Sequence, residues 1–506
     1  MLWLLLAAVG LVASFWLQWR YKHRRMLKMA EKLPGPPCWP GLGNAMQFIC
    51  QPEEVIHVFQ DMLSKYGDII RFWLGPDLNI IVNNPDDVKE LLSNPRNSTK
   101  GPQYKYMEDV LGGGILSGSG PLWRKHRKLA NPNYGKRAID SYGDVFNSET
   151  RLLLEKCRAV PAGQQFNVYR FVVQATSYSV CQTLMGLSKE QTMNLPHIQN
   201  IIDCTPQLYN LIFDRMTKWY LQINPVFRMS HLFKDLSRYL QMTVDFSQAI
   251  IENRLDYLKK LKDSSKLDLV NSSEEGTWNV KLSVIDRFIL SGEMEKEELL
   301  KETFTIFTSS QEASAKITSF TLLMMAYHPD CQEKLYNEIK SVMGDVDRPV
   351  TKEDLKLMPY LEMVFKEVLR LFPIGALLQR RISEDIVISS GTLPAGSSLV
   401  VPMYHLHRDP RFWKDPNAFD PERFNPENTK LRHPNCYFPF SMGPMDCLGR
   451  YFGTKLIKTI CVRVLREFEV TSTETYKDLR LTIAISADSV NGYNVALKPR
   501  RNGLLK

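Results

Sequence analysis

Hydrophobic residues recur with the roughly 3.6-residue period of an α-helix along most of this chain. The period predicts long helices over residues 55–66, 139–157, 168–185, 242–261, 299–327, 331–343 and 360–371. Short runs of β-branched and aromatic residues predict strands over 69–74, 78–82, 386–389 and 398–401, the last two joined by a turn over 391–396. No internal repeat interrupts the pattern, so we expect one large domain that is mainly α with a small β region.

The start of the chain differs from the rest, because residues 2–19 carry no charge. A helix of this length spans about 27 Å, close to the thickness of the hydrocarbon core of a bilayer. A cleaved signal peptide is the alternative, but no positive residue precedes the apolar run, so we favour a retained membrane anchor over residues 1–19. Basic residues directly behind it place the body in the cytosol, most simply at the endoplasmic reticulum membrane. Residues 20–41 form a basic and proline-rich linker, and residues 42–506 form the body.

Composition narrows the class of protein. Hydrophobic residues make up 44% and the mean hydropathy is −0.24, which excludes a protein that crosses the bilayer many times. The 64 Lys and Arg residues against 55 Asp and Glu give a net charge of +9, too small a surplus to indicate nucleic-acid binding. The 9 cysteines lack zinc-type spacing and indicate reduced thiols, with at most one special cysteine.

The sharpest local signal is the sequence FSMGPMDCLG, a loop from Phe440 to Gly449 that brings Cys447 to the start of a helix. Unpaired amides at a helix N-terminus stabilise a thiolate, the form of cysteine that binds metal. Gly443 and Gly449 would let the backbone approach a flat ligand closely. A lone cysteine between glycines is more often structural, so the loop is informative only together with other motifs.

Three further motifs carry charged residues. In KEVLR, Glu367 and Arg370 are three residues apart and share one face of a helix. In WRKHR, Trp123 and Arg127 are four residues apart and likewise share a face, and in PERF, Arg423 follows a proline. Each motif is weak alone, because such an ion pair is most often an exposed one of little consequence.

Taken together and in their order along the chain, the motifs resemble those of the cytochrome P-450 family of haem-thiolate enzymes. The resemblance runs from residue 1 to about residue 500. The phrases YHP at 327–329 and ISED at 382–385 resemble the fatty-acid-hydroxylase (family 4-like) clan. The resemblance implies the cytochrome P-450 fold behind a single N-terminal membrane anchor helix, and non-covalent haem b with Cys447 as the axial iron ligand. It also implies roles for the other motif residues: Phe440, Gly443 and Gly449 in the haem-binding loop, Trp123, Arg127 and Arg380 on the haem propionates, and Glu367, Arg370 and Arg423 in a buried ionic cluster.

The same resemblance implies a monooxygenase that hydroxylates or epoxidises a lipophilic substrate, such as a fatty acid, a terpenoid or a xenobiotic. Electrons would come from NADPH through NADPH-cytochrome P-450 reductase, with cytochrome b5 as an optional second donor. The donors would dock on a basic face around the cysteine, formed by residues of 124–128 with Arg450, Lys455 and Lys458. Membrane lipid is another expected partner, and nucleic acid is not. Four residues match positions that line the family's substrate pocket: Phe304, Phe307, Ile374 and Leu377.

The central helix departs from the family pattern Ala/Gly-Gly-x-Asp/Glu-Thr-Thr/Ser. Glu312 keeps the acid for proton delivery, but Ala313 replaces the threonine that the family places beside dioxygen. Ser314 is one residue on, about 100° round the helix, and does not simply replace that threonine. Ser310 shares the face of Ala313, and its hydroxyl either holds a water there or bonds back to the preceding helical turn. The candidate catalytic residues are therefore Glu312, Ser310 and Ser314.

A second departure directly precedes the cysteine. Met445 replaces the usual propionate-binding cation, and Asp446 adds a negative charge. We expect weaker haem retention or a shifted reduction potential. The missing threonine keeps two other functions open: an isomerase or dehydratase that rearranges a peroxide without external electrons, and a haem-containing binding protein with little turnover.

Overall fold

The fold is described from a computed structural model, for residues 3, 10, 14, 16–264 and 282–500. Its α-helices are Arg24–Ala30 (α1), Val55–Tyr66 (α2), Pro85–Ser93 (α3), Lys105–Leu111 (α4), Gly120–Tyr134 (α5), Lys136–Asp140 (α6), Gly143–Ala159 (α7), Tyr169–Thr183 (α8), Lys189–Met193 (α9), Ile198–Thr217 (α10), Asn224–Met229 (α11), His231–Asp263 (α12), Val284–Ser291 (α13), Lys296–Tyr327 (α14), Pro329–Met343 (α15), Lys352–Lys356 (α16), Pro359–Leu371 (α17), Met403–Leu406 (α18), Pro426–Leu431 (α19) and Arg450–Glu467 (α20). Its strands are Ile69–Leu74 (β1), Asp77–Val82 (β2), Gln165–Asn167 (β3), Leu378–Arg381 (β4), Ile386–Ile388 (β5), Gly391–Leu393 (β6), Ser398–Val401 (β7), Phe468–Thr471 (β8), Leu481–Ile483 (β9), Ala487–Ser489 (β10) and Asn494–Pro499 (β11).

The mainly helical architecture confirms the predicted fold class, with differences in some elements. The helix predicted over 139–157 is two helices, α6 and α7, because the chain turns where the Tyr142 amide donates to the Ile139 carbonyl, 3.1 Å away. The helix predicted over 242–261 begins earlier, at His231, where the extended backbone of Ser230 precedes α12.

The strands of the described part of the chain form small sheets. The largest has the order β1-β2-β7-β4, in which β2 and β7 are parallel and the other pairs antiparallel. A three-stranded sheet has the order β3-β11-β8, and β5–β6 and β9–β10 are hairpins. The turn predicted over 391–396 instead contains β6, because residues from Gly391 pair back onto β5. The following strand, β7, therefore belongs to the larger sheet.

The helix α14, called the central helix below, runs through the core. It contacts α8, α12, α17 and α20. Every residue from Glu302 to Met325 is buried except Ser309, Ser310 and Ala313. Buried threonine hydroxyls are satisfied because they donate to carbonyls four residues back, as at Thr303, Thr318 and Thr321. The only accessible strip of this stretch is thus the face on which the sequence places its departures from the family pattern.

The predicted anchor over 1–19 lies for the most part outside the described residues. Among the residues that are described, no helix combines the length and apolarity needed to cross a bilayer. The linker over 20–41 includes α1 and then lies along β1, where the Pro34 carbonyl accepts the Arg71 amide at 2.8 Å. Met26, Ala30 and Leu33 are buried against the core of the larger sheet. The linker is therefore packed on the body.

Candidate functional site

The cysteine loop, residues 440–449, is shaped by contacts at both ends. Gly443 has a φ of +75°, and a Cβ there would lie 2.1 Å from the Leu92 carbonyl oxygen in α3, so only glycine fits. The absence of a side chain at Gly443 thus allows the loop to pack closely against α3. The Cys447 amide donates to the Phe440 carbonyl at 2.8 Å and closes the loop. As predicted, α20 begins directly behind the cysteine.

The Cys447 thiol is accessible, whereas Cys157, Cys181, Cys436 and Cys461 are buried. The amide of Gly449, which caps α20, donates to its sulfur. The thiol is nevertheless closely surrounded by protein, and this burial raises its pKa, although Gly449 and Arg127 favour the thiolate. The amide at the helix end thus favours the thiolate, as predicted, but burial outweighs it and the pKa is raised. A bound metal ion would favour the thiolate further, since a coordinating thiol is deprotonated.

The accessible strip of the central helix consists of Ser309, Ser310 and Ala313. The hydroxyl of Ser309 donates to the Thr305 carbonyl at 2.6 Å. The hydroxyl of Ser314 donates to the Ser310 carbonyl at 2.7 Å, and this side chain is buried. Ser314 is therefore occupied within its own helix, which argues against its predicted catalytic role.

Glu312 is also separated from the accessible strip. Its side chain is 2% exposed, and its Oε1 lies 2.6 Å from the Lys316 Nζ and 3.2 Å from the Ser486 hydroxyl that donates to it. Burial raises the pKa of this carboxyl, against the effect of Lys316. Of the three candidate catalytic residues, Ser310 thus has its side chain at the strip, while Glu312 is held by an ion pair on the flank of the helix.

Tyr134, at the end of α5, connects this strip with the cysteine. Its phenol lies close enough to the Ser310 hydroxyl and to Cys447 for both to affect its pKa, and its ring packs edge-on against Phe452 of α20 at 6.3 Å. Burial raises the pKa of this phenol, so Tyr134 keeps its proton. Ser310 therefore has a partner from another helix instead of the bond back to its own helix. The strip and the cysteine thus share Tyr134 as a neighbour.

Positive side chains gather at the edge of this space. Arg380 is buried, donates to the Gln379 carbonyl at 3.0 Å and contacts the Tyr104 hydroxyl. Lys100 lies close enough to Arg380 and Arg127 that, together with burial, they lower its pKa well below the ordinary value. Neither Lys100 nor Arg380 forms an ion pair with a carboxylate of the described residues. These two basic side chains are therefore available to an anionic ligand, whose negative charge would favour the protonated form of Lys100.

Arg127 binds the cysteine loop. Its Nη2 donates to Asp446 Oδ1 at 2.7 Å, and its Nη1 donates to the Asp446 carbonyl at 2.7 Å. Arg127 thus balances the negative charge that Asp446 adds beside the cysteine. Arg450 is a second cationic partner, with its Nη2 3.8 Å from Asp446 Oδ2. Trp123, one turn before Arg127, is buried. Arg127 therefore ties α5 to the cysteine loop.

His126, on the same helix, ties α5 to the central helix. It is fully buried, with Nε2 bonded to Glu298 and Nδ1 3.3 Å from Glu302 Oε1. Glu302 Oε1 also accepts the Ile115 amide at 2.8 Å, which fixes the segment before α5. Burial opposes a charge on the imidazole, but the two glutamates outweigh it and raise the pKa of His126.

The expected ionic cluster is present. Glu367 and Arg370 are both fully buried and joined by two parallel bonds, Nε to Oε2 and Nη2 to Oε1, each of 2.7 Å. Arg423 Nε lies 3.4 Å from Glu367 Oε1, which also accepts the Asp420 amide at 2.9 Å. The cluster thereby holds α17 against the turn that contains the PERF sequence.

The same cluster reaches towards the cysteine loop. The Arg370 Nη1 donates to the His407 carbonyl at 3.0 Å. The His407 Nε2 accepts the Phe438 amide at 3.1 Å, two residues before the loop begins. Burial lowers the pKa of His407 well below the ordinary value, and Arg370 adds to the effect, so this imidazole stays neutral and its Nε2 remains an acceptor. Side chains thus link the ExxR helix to the loop.

Two of the predicted pocket residues lie elsewhere. Phe304 and Phe307 are fully buried in the core, and the Phe307 ring packs 4.7 Å from that of Phe246 in α12. Phe304 is nine residues before Ala313, about 180° round the helix, and so faces away from the accessible strip. Ile374 and Leu377 are half-buried after α17.

Comparison with known proteins decides the family. The family model described as Cytochrome P450 matches residues 33–486 of this chain. The chain belongs to the cytochrome P450 family. This P450 is 27% identical to Cytochrome P450 4c3 of Drosophila melanogaster, over 97% of this chain and 94% of that protein. It is 28% identical to Cytochrome P450 4g1 of Drosophila melanogaster, over 96% and 91%, and 28% identical to Cytochrome P450 4V2 of Homo sapiens, over 98% and 95%. The P450 is therefore similar to family 4, and it is a monooxygenase, an oxidoreductase that uses non-covalent haem b with a cysteine thiolate ligand.

The residues of this P450 fit that group. Cys447 is accessible, as is the strip of the central helix, and both have Tyr134 as a neighbour. Lys100 and Arg380 bring two positive charges without carboxylate partners among the described residues, which suits the two carboxylates of haem b. Lys100 and Tyr134 were not predicted from the sequence. Tyr134 lies eleven residues after Trp123, about three helical turns, and so shares the face of Trp123 and Arg127. This shared face is the feature of the sequence from which Tyr134 could have been predicted.

Proposed function

We propose that this P450 is a membrane-associated monooxygenase that hydroxylates or epoxidises a lipophilic substrate, such as a fatty acid, a terpenoid or a xenobiotic. Electrons from NADPH would reach it through a flavoprotein reductase at the endoplasmic reticulum membrane. The observation that carries the proposal is the accessible Cys447 thiol, which shares Tyr134 as a neighbour with the accessible strip of the central helix.

Cys447 is the proposed axial ligand of the iron. Arg380, Lys100 and Trp123 would surround the propionates, and Arg127 would contribute from its position on Asp446. Haem b bound through a thiolate supplies the activation of dioxygen that insertion into a C–H bond requires. The protein's own part is to hold this group in a space without bulk water and to orient the substrate beside it.

Ser310 is the proposed holder of a proton-donating water. Its hydroxyl lies on the accessible strip, is not bonded back to its own helix, and has the protonated phenol of Tyr134 as a partner. Two hydroxyls in contact suit a bound water, which needs at least two polar partners. A Ser310→Gly variant should lower the fraction of NADPH electrons recovered in product. Unchanged coupling in that variant would remove Ser310 from proton delivery.

The apolar side of the site points to a lipophilic substrate. Ile374 and Leu377 are the retained candidates for its wall, since Phe304 and Phe307 belong to the core. An apolar lining with few polar groups favours apolar ligands.

The proposed docking face for an electron donor is smaller than the sequence suggests. Arg124 and Lys128 are exposed on α5. Lys458, however, is buried and bonded to Glu362, and Lys455 Nζ lies 3.2 Å from Asp140 Oδ1. Arg124 and Lys128 would therefore provide most of the attraction for an acidic patch on the reductase or on cytochrome b5.

A second candidate function is favoured by Ala313. An isomerase or dehydratase acting on a peroxide needs neither the threonine hydroxyl nor external electrons. Incubation with reductase, NADPH, isotopically labelled dioxygen and a lipid library separates the two functions. A labelled product supports the monooxygenase. Rearrangement of a lipid hydroperoxide without NADPH supports the isomerase, and spectral binding without product leaves a binding protein.

The carbon monoxide difference spectrum of the reduced protein tests the ligand directly. A thiolate ligand gives a red-shifted band, which Cys447→Ser should abolish. Cys50→Ser is the matched control, because this half-buried cysteine lies outside the site, and it should leave the band unchanged. A full band in the Cys447→Ser protein would refute the proposed ligand.

A further inference from the structure

A buried ion bridge joins the central helix to the hairpin β9–β10. The Lys316 Nζ lies 2.6 Å from Glu312 Oε1, 2.9 Å from Asp488 Oδ2 and 2.7 Å from the Ser486 Oγ. Lys316 and Glu312 are 3% and 2% exposed, and Asp488 is 25% exposed. The three donors of the ammonium group therefore meet three acceptors, two of them on the hairpin.

The charges of this bridge are mutually dependent. Burial opposes the charge on Lys316, but Glu312 and Asp488 outweigh it and raise its pKa, so the ammonium group stays protonated. Asp488 has a further partner, because the Tyr493 hydroxyl donates to its Oδ1 at 2.8 Å. Burial raises the pKa of Tyr493, and also those of Tyr169 and Tyr209, which feel the charge of Glu312. All three phenols are therefore neutral.

The hairpin is short, so its contacts with other elements decide where it lies. Each of its strands has three residues, and a two-stranded hairpin is at best marginally stable by itself. Its tip contributes Ala484 and Ile485 to an apolar cluster that also includes Phe213 and Leu377. Leu377, one of the two retained candidates for the substrate wall, packs against the same cluster as the tip.

We propose that Lys316 is a positioning residue whose ammonium group fixes the hairpin tip to the central helix, and thereby sets Ile485 as a wall of the substrate space. The part of this inference that concerns the substrate space rests on the proposed function. The tie between helix and hairpin does not, because it follows from the contacts of Lys316. In this assignment Glu312 serves to hold Lys316.

Hydrogen exchange of the holoenzyme tests the tie. Lys316→Met should speed exchange of the amides over residues 481–489 at least tenfold. Lys316→Arg keeps a charge with several donors and should restore most of the protection. The matched control is Lys301→Met, which removes an i,i+4 partner of Glu297 near the exposed start of the same helix and should leave the hairpin unchanged. Unchanged exchange in Lys316→Met would overturn the proposal.

Ligand binding tests the wall. Imidazole and 1-dodecylimidazole share the iron-binding nitrogen and differ in the tail that reaches the apolar space. Lys316→Met should weaken 1-dodecylimidazole at least fivefold in a spectral titration and leave imidazole within twofold. Equal effects on the two ligands, or none, would show that the hairpin tip does not set the wall. If neither ligand binds the unchanged protein, the proposed function fails, while hydrogen exchange still decides the tie.

A double variant tests the tie if Lys316→Met does not fold. Lys316→Met leaves Glu312 buried without its cation, which by itself destabilises the fold. The double variant Glu312→Gln/Lys316→Met avoids this buried charge and still lacks the bridge to Asp488. It should show the same faster exchange over residues 481–489. Wild-type protection in a folded double variant would overturn the proposal.

Discussion

Removal of the Glu367 carboxylate tests the buried ionic cluster of this P450. In Glu367→Ala, Arg370 keeps its bonds to three backbone carbonyls but loses both 2.7 Å bonds to the carboxylate. The guanidinium is then a buried cation without a counter-charge, and the Asp420 amide loses its acceptor. Breaking a buried pair in this way costs about 3–5 kcal/mol.

This loss is large compared with the stability of the whole domain. Typical folded domains are stable by about 5–15 kcal/mol, so the variant should populate unfolded or haem-free protein readily. The assay combines urea unfolding with the ratio of the carbon monoxide difference band to total protein. We expect aggregated or haem-free protein, and a lower urea midpoint in any soluble fraction.

Two further variants separate charge from shape. Glu367→Gln keeps an acceptor for the Asp420 amide and should fall between wild type and Glu367→Ala. Glu297→Ala removes an exposed glutamate that pairs with Lys301 on the central helix, and it should change neither readout. Full haem loading of Glu367→Ala, with an unchanged urea midpoint, would refute the assignment of the cluster.

Three other predictions concern single side chains. Because its two glutamate partners raise the pKa of His126 above the ordinary 6.5, its charge stabilises the fold below about pH 6.5, and this contribution is lost as pH rises through the raised pKa. His126→Gln should remove that slope from urea unfolding between pH 6 and pH 9, whereas the exposed His57→Gln should retain it. Tyr134→Phe should keep the fold and the haem band but about halve the recovery of NADPH electrons in product, and unchanged recovery would exclude a part in proton delivery. Arg380→Met should speed transfer of haem to an acceptor protein at least tenfold, and equal rates for it and the exposed Arg96→Met would exclude propionate binding.

The contacts that can be predicted from the sequence join residues that are close together in the chain. Glu367 and Arg370 lie on one helical turn, and Cys447 directly precedes its helix, so spacing was enough to predict their relation. Contacts between distant segments had no such signal. The Lys316 to Ser486 bond spans 170 residues, and the Tyr134 to Ser310 contact joins separate helices. These partners become neighbours only through the packing of α5, the central helix and the hairpin.

Two errors of the sequence analysis have a common physical cause. Phe304 and Phe307 were placed in the substrate pocket, but a helix buried on almost every side gives no periodic signal for the face that borders a cavity. Lys455 and Lys458 were placed on a basic surface because of their charge. Both instead have acidic partners, Asp140 and Glu362, that lie far from them in the sequence. In each case the sequence gives the residue type, but it does not give the surroundings of the side chain in the folded protein.

The proton-delivery motif is where the chain and its family pattern differ most in geometry. The family pattern is a motif of six consecutive residues with one function, the delivery of protons. Ser310 and Glu312, however, are two residues apart and therefore about 160° apart round the helix. The structure gives them different partners, since Tyr134 contacts Ser310 and Lys316 holds Glu312. One water cannot bridge both groups across the helix. The hydroxyl therefore belongs to the cavity and the carboxylate to the tie with the hairpin, and the two functions are open to separate mutation.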